Sequence, residues 1–410
     1  TTEIYTLSLH DALPISYMAE IKPVAETFAK IKVVGVGGSG GSALNRMIEC
    51  GIKGVDFIAI NTDVQALHYS KATKKIHIGK TITRGLGAGM NPELGRQAAE
   101  EAQNEIREAL KDANMVFITC GMGGGTGTGA SPIVAEIARD LGALTVAVVT
   151  KPFSFEGQQR NNIADRGLSE LTDRVDAIIT IQNDKILQAI DKKTSILDAF
   201  MVVDEILRQG VAGIAEIISV HSMINVDFND VKTIMADSGS ALMGIGKASG
   251  ENKAVEAAKA AINSPLLEMS IDGAKGVLFT IFGGTELTMH DVNEAAKIIT
   301  SSADEEAKII FGAGIDERLK DEIKITVVAT GFNVKQNYRG NTSSIDDRKY
   351  TPSVFLEEEI RQEERVKPSA VKQAQMAPLK KMPPVMAPEE EYSEEEEDLG
   401  IPAFIRKKMM

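Results

Sequence analysis

The chain has 410 residues, 43% of them hydrophobic and 5% aromatic, and a net charge of -13. That length allows two cores of ordinary size with a remainder left over, and that charge opposes general binding to a nucleic-acid backbone. Cys50 and Cys120 are the only cysteines; neither sits in a CxxC or Cys/His cluster, which excludes a disulfide framework or structural zinc site and suits a reducing cytosol.

Residues 1–17 lack the basic start and long apolar stretch of a signal peptide. They differ in style from the rest of the chain and are expected to be a non-native extension, in the manner of translated sequencing adapter, or a disordered arm, with the biological start at Met18. From Ile31 the sequence alternates short β-branched runs with helical patterns: IKVVGVG, SALNRMIEC, VDFIAIN, PELGRQAAEEAQNEIREALKD, MVFITC, SPIVAEIARDLG and LTVAVVT, with a further strand DAIITI at 176–181. Such alternation predicts a mainly parallel sheet covered on both faces. The longest apolar run, Ala143 to Val149, is far shorter than the roughly 20 residues of a membrane span, so no direct membrane insertion is expected. TSILDAFMVVDEILRQGVAGIAEIISV reads as one long helix, or two, apolar all round and therefore buried between two domains.

A second α/β block comes next: helix ENKAVEAAKAAINSP, strand GVLFTIFGG, helix MHDVNEAAKIITSSAD, and strand EIKITVVATGF ending near Phe332. Residues 336–397 are rich in Glu, Gln, Pro, Lys and Met without either period, the composition of a disordered tether. The tether ends in DLGIPAFIRKK, an apolar island between opposite charges, of the kind kept for docking.

Two glycine-rich turns carry the chemistry. Gly35, Gly37 and Gly40 satisfy GxGxxG at a strand-to-helix turn, where bare backbone amides and the positive end of a helix can approach a phosphate. With Asp63 at the end of VDFIAIN, this turn alone leaves a dinucleotide-dependent oxidoreductase open. The second turn, GMGGGTGTGASP, decides against it. Six glycines between Gly121 and Gly129 cost backbone entropy throughout, and a wrapped anion explains them better than a plain bend. Neither turn contains GxxxxGK[ST], so no P-loop lysine supplies charge; neutralisation falls to amides, a metal or residues elsewhere.

GGGTGTG at 123–129 resembles the tubulin and FtsZ signature, and GVGGSGGSALNRM at 35–47 resembles the first phosphate loop of the FtsZ family. NTD at 61–63, GLGAGMNPELGRQAAEE at 85–101, KPFSFEGQQR at 151–160, NVDFNDV at 225–231 and the terminal DLGIPAFIRKK are similar to FtsZ segments in the same order. The resemblance implies a tubulin/FtsZ-like α/β fold. Its Rossmann-like parallel-sheet GTPase domain (18–195) would be joined by a long central helix (196–220) to a smaller α/β domain (221–335). The disordered acidic linker (336–397) and a partner-binding peptide (398–410) would complete the chain. It also implies a cytoplasmic GTPase that polymerises at the mid-cell division site, or alternatively a scaffold with little hydrolysis.

Carried over residue by residue, the resemblance gives GTP or GDP as the ligand, accompanied by Mg, with the metal's protein ligands unknown. Gly38, Ser39, Gly40, Gly41 and Ser42, together with Thr126, Gly127 and Thr128, would hold the phosphates. Ala88 and Gly89 would stand near the terminal phosphate, and Asn61 and Asp63 would also contact the nucleotide. Glu156, Arg160 and Asn183 would meet the sugar region, although Glu156 and Arg160 four apart also fit a solvated helix pair. Phe200 and Asp204 would stack on and hydrogen-bond guanine, whose N1 and N2 donors suit a carboxylate; without the resemblance Phe200 reads as core. Ser42 stands where the family commonly has Asn, and Gln182 where it usually has Pro. Asn225, Asp227 and Asp230 would complete hydrolysis on the next subunit of a homopolymer; alone, they fit an Asx turn. The tail peptide, through Leu399, Ile401, Pro402, Phe404 and Ile405, would bind membrane-anchoring division proteins.

Overall fold

The computed structural model describes residues 29–52, 54–189, 193–219, 223–224, 226–264 and 271–332. The expected extension at 1–17, the tether, the tail peptide with Leu399, Ile401, Pro402, Phe404 and Ile405, and Asn225 lie outside these residues.

In chain order the first half contains β1 (Ile31–Val36), α1 (Gly37–Glu49), β2 (Val55–Asn61), α2 (Val64–Tyr69), β3 (Lys74–His77), α3 (Pro92–Glu101), α4 (Gln103–Leu110), β4 (Met115–Gly121), α5 (Gly125–Asp140), β5 (Leu144–Lys151), α6 (Gln158–Thr172), β6 (Ala177–Gln182) and α7 (Asn183–Ala189). The second half adds α8 (Ile196–Ser219), α9 (Phe228–Met235), β7 (Gly239–Ser249), α10 (Lys253–Ile262), β8 (Gly276–Gly283), α11 (Met289–Ser302), β9 (Lys308–Ile315) and β10 (Glu322–Thr330). The ten strands of the described residues form one sheet in the order β3-β2-β1-β4-β5-β6-β7-β10-β8-β9.

β1 to β6 are parallel and β1 lies between β2 and β4. Strand order therefore reverses at β1/β4, which is where open α/β sheets bind ligands beyond the carboxyl ends of their strands. The uninterrupted apolar character of MVFITC and LTVAVV reflects burial on both faces: Phe117 and Val146 pack into the core shared with α1 and α8, while Ile118 and Ala147 face the layer under α3 to α6. Truncating a fully buried side chain such as Phe117 to Ala would cost about 3–5 kcal/mol.

In the second half β7 and β8 run antiparallel to β10, and β9 is parallel to β8 at the free edge. β7 also pairs with β6, Ala177 opposite Gly239, which fuses the two blocks. α8 is one continuous helix. It crosses between them with Gly210 close to Val148 of β5 and Met243 of β7, and with Gly213 against Thr326 of β10. It is not apolar all round as expected: Asp198, Glu205, Gln209 and Glu216 recur along one face that stays exposed or half-buried, while Val203, Leu207, Val211, Ile214 and Ile217 face the core.

Three other sequence expectations change. The segment 92–110 breaks at Ala102 into α3 and α4, and both pieces bury residues in one core, Ala98 and Ala99 from the first and Ile106, Ala109 and Leu110 from the second. The short or glycine-containing strands β3, β7 and β9 give no β-branched run long enough to stand out. Both glycine-rich turns are shorter than their sequence suggests: α1 begins at Gly37 and α5 at Gly125, so most of the glycines form the first turns of helices.

Candidate functional site

α1 and α5 start side by side at the carboxyl edge of β1 and β4, and neither has a side-chain cap. α2, α3, α9 and α11 are capped by Asp63, Asn91, Asp227 and Thr288, while α4, α6 and α10 likewise lack a side-chain cap; of these uncapped starts only those of α1 and α5 lie against each other. The first N–H groups of a helix have no partner within it, so α1 offers the amides of Gly37, Gly38 and Ser39 and α5 those of Gly125, Thr126 and Gly127. Two converging helix ends with open amides make an anion site.

The glycines divide by role. A Cβ on Gly37, whose φ is +74°, would stand 2.9 Å from the amide nitrogen of Gly127, so the two helix starts touch here and only a glycine fits. Gly40 lies against the Thr119 carbonyl of β4 and serves helix-to-sheet packing, whereas Gly38, Gly41, Gly89 and Gly124 have open space where a side chain would be. Ala88 is held over the start of α5, 2.8 Å from a Cβ placed on Gly125.

Hydroxyls tie the edges together. Ser39 Oγ accepts from the Gly121 amide at 2.9 Å, and Thr128 Oγ1 from the Gly123 amide at 2.9 Å. Thr126 Oγ1 and Thr62 Oγ1 are 2.6 Å apart. Thr126 and Thr128 therefore shape the turn with their side chains, and the ligand is left with backbone amides. Ser42 Oγ donates to the Gly38 carbonyl at 3.3 Å. Asn61 is buried and accepts from the Asp63 amide, and Asp63 caps α2 by accepting from Gln65 and Ala66. An open cavity of about 160 Å³ runs from Gly38 and Gly41 past Ser42 and Asn45 to Asn61 and Ser70.

On the β5–β6 side, Glu156 accepts from the Phe153 amide at 2.9 Å and pairs with Arg160 at 2.9 Å. The pair expected on general grounds is present, and it stands at the glycine turn: a Cβ on Gly123 would lie 2.8 Å from Arg160 Cγ. Asp184 accepts from both the amide and the hydroxyl of Ser154, joining α7 to this segment. Asn183 is 5% exposed, and its Oδ1 is buried with no hydrogen-bond partner. An orphaned acceptor of this kind normally costs about 1–3 kcal/mol, which a ligand donor would recover.

Phe200 is 44% exposed and meets Phe153 edge to face at 5.6 Å. It is not a core residue; it presents an aromatic surface next to the segment that carries Glu156. One turn on, burial pushes the Asp204 carboxyl up to about 6, with Arg46 of α1 opposing the rise. Sequence reasoning missed Arg46, Thr62 and Phe153, all of which lie inside segments that were legible and whose roles depend on cross-chain contacts.

Asp227 and Asp230 stand elsewhere. They cap α9 reciprocally, Asp227 Oδ1 accepting from the Asp230 amide at 2.9 Å and Asp230 Oδ2 from the Asp227 amide at 3.4 Å. The segment after α9 is tied to the amino edge of the parallel strands, where Gly239 donates to the Asp176 carbonyl and Arg139 pairs with Asp237 at 2.8 Å. Between Asp204 and Ser219, α8 rises about 22 Å, so the acidic pair and the glycine-rich site belong to opposite ends of the molecule.

A parallel sheet with paired, lysine-free glycine helix starts at its switch point defines a tubulin-like GTPase. Residues 30–191 match the model of the Tubulin/FtsZ family GTPase domain, and residues 239–333 that of the FtsZ family C-terminal domain. An empty FtsZ dimer from M. jannaschii is 47% identical, with a TM-score of 0.72 over 75% of this chain and 89% of that one. CetZ2 from Haloferax volcanii, solved as a GTPγS-bound protofilament, shares the fold at 22% identity and a TM-score of 0.64, over 73% of this chain and 92% of that one. The chain belongs to the FtsZ family.

Proposed function

We propose that this protein binds GTP across the β1/β4 switch point, polymerises head to tail as a cell-division filament, and hydrolyses GTP at each junction between copies. The phosphates lie on the amides of α1 and α5, enclosed by Gly38, Ser39, Gly41 and Gly89, with Ala88 near the terminal phosphate. Glu156, Arg160 and Asn183 take the sugar side, Phe200 stacks on guanine, and Asp204 accepts from its N1 and N2 donors. Among the described residues no cluster of three His, Cys, Asp or Glu could hold a metal; a Mg²⁺ brought with the nucleotide would take phosphate and water oxygens and spread the developing charge.

The separation of Asp227 and Asp230 from the glycine-rich site carries the mechanism. Within one copy they are too far away to orient water at the terminal phosphate, whereas on the next copy of a head-to-tail array they would face it. Such a heterologous contact repeats without closing and generates a filament. Exposed apolar side chains at both ends support this: Val64, Leu86, Met90 and Phe155 beside the pocket, and Met223, Ile309, Phe311 and Ile315 at the far end. The related M. jannaschii protein is itself seen as a dimer.

No described helix is long and apolar enough to cross a membrane, and residues 398–410 serve as the link to membrane-anchoring division proteins at mid-cell. Deleting them should leave assembly in solution unchanged and abolish anchor binding; retained binding would exclude the tail. Light scattering and phosphate release, followed together in GTP and Mg²⁺, test the whole reading. Assembly with turnover is expected, and assembly without turnover would identify a scaffold.

A further inference from the structure

The segment that delivers the acidic pair is fixed by the free edge of the second block. Ile224 and Ala313 of β9 exchange both backbone hydrogen bonds, at 3.0 and 3.2 Å, as an isolated antiparallel bridge. Beside it, Gly312 has no side chain to keep the segment away. A Cβ there would lie 3.3 Å from the Ile224 carbonyl oxygen and 3.4 Å from Val226 Cγ2. Val226 is buried and immediately precedes Asp227. Edge strands otherwise tend to be left open or blunted by charge; this one is occupied by the residues leading into the Asp227–Asp230 capping box.

We propose that Gly312 and Ala313 of β9 are positioning residues for GTP hydrolysis, setting where Asp227 and Asp230 stand toward the neighbouring copy. The inference rests on the acidic pair acting at the junction. A methyl at Gly312 displaces the Ile224–Val226 segment by a few tenths of an ångström, and an isopropyl group displaces it further. Reaction geometry is steep in distance, a 1 Å misplacement costing about 100-fold, while the pocket at the other end of α8 is untouched. β9 thus acts on turnover without touching nucleotide.

The test measures GTP affinity of monomers, sedimented polymer, and phosphate release per sedimented subunit for Gly312→Ala, Gly312→Val and Asp230→Asn. Affinity within about twofold of the parent is expected throughout, with turnover per polymerised subunit falling about threefold in Gly312→Ala and tenfold or more in Gly312→Val. Val226→Ala removes Val226 Cγ2 from the atoms a Cβ at Gly312 would meet and leaves the nearer Ile224 carbonyl oxygen, so adding it to Gly312→Ala should recover turnover in part; a merely destabilised protein would lose more. If Gly312→Val fails to fold, the Gly312→Ala series with its Val226→Ala partner decides alone. Parental turnover in the Gly312 variants, with Asp230→Asn inactive, overturns this inference and spares the junction mechanism. Parental turnover in Asp230→Asn overturns the mechanism itself.

Discussion

Asp204 titrates at about 6 because most of its carboxyl is withdrawn from water. Guanine donors favour the ionised form, so binding lowers this value and releases a proton. GTP affinity should therefore be flat above pH 7 and about tenfold weaker at pH 5, as read by fluorescent-nucleotide titration; a pH-independent affinity would remove Asp204 from the base site. The effect on folding has the opposite sign. Between the ordinary 3.8 and about 6 the folded, nucleotide-free protein holds more proton at Asp204 than the unfolded chain, so this group's contribution to stability falls as pH rises through that window. Asn183 offers a second separation of binding from stability. Removing its unpartnered Oδ1 in Asn183→Ala relieves the cost of burying it and so should not lower the apo melting temperature, while GTP weakens by about tenfold, the value of one buried hydrogen bond of about 1.4 kcal/mol.

Among elements, the starts of α1 and α5 work as a pair. Gly37→Ala forces an L-residue into a left-handed conformation and drives its Cβ into the Gly127 amide, at a cost of about 1–3 kcal/mol. Thermal unfolding should show that loss and GTP affinity should fall with it, whereas Gly41→Ala, which meets open space, should retain parental stability. The parallel strands, the long helix and both glycine clusters were legible in the sequence because each signal is local: β-branched runs, a long apolar-rich pattern without proline, glycines too dense for a plain turn. What the glycines do individually was not legible. Gly40 was expected at phosphate, and its lack of a side chain also lets it pack on the Thr119 carbonyl; Gly37 was noted only as part of GxGxxG. Those roles depend on atoms from strands and helices 80 or so positions away. The hydroxyls of Thr126 and Thr128 were hidden for the same reason, since their partners, Thr62 and the Gly123 amide, are set by the turn's closure.

For the whole molecule, one continuous sheet and a single helix of 24 residues join a glycine-rich end to an acidic end. The same arrangement explains why Asp227 and Asp230 looked ambiguous in sequence: they are both a helix cap and charged groups displayed at a surface. The most direct test is the steady-state GTPase of Asp230→Asn in Mg²⁺, measured beside its monomer affinity for GTP. Asparagine can still accept the Asp227 amide and so keeps the cap, while the negative charge is lost. The account predicts GTP binding within about twofold of the parent and turnover reduced at least 100-fold in assembled protein; parental turnover in the polymer would contradict it.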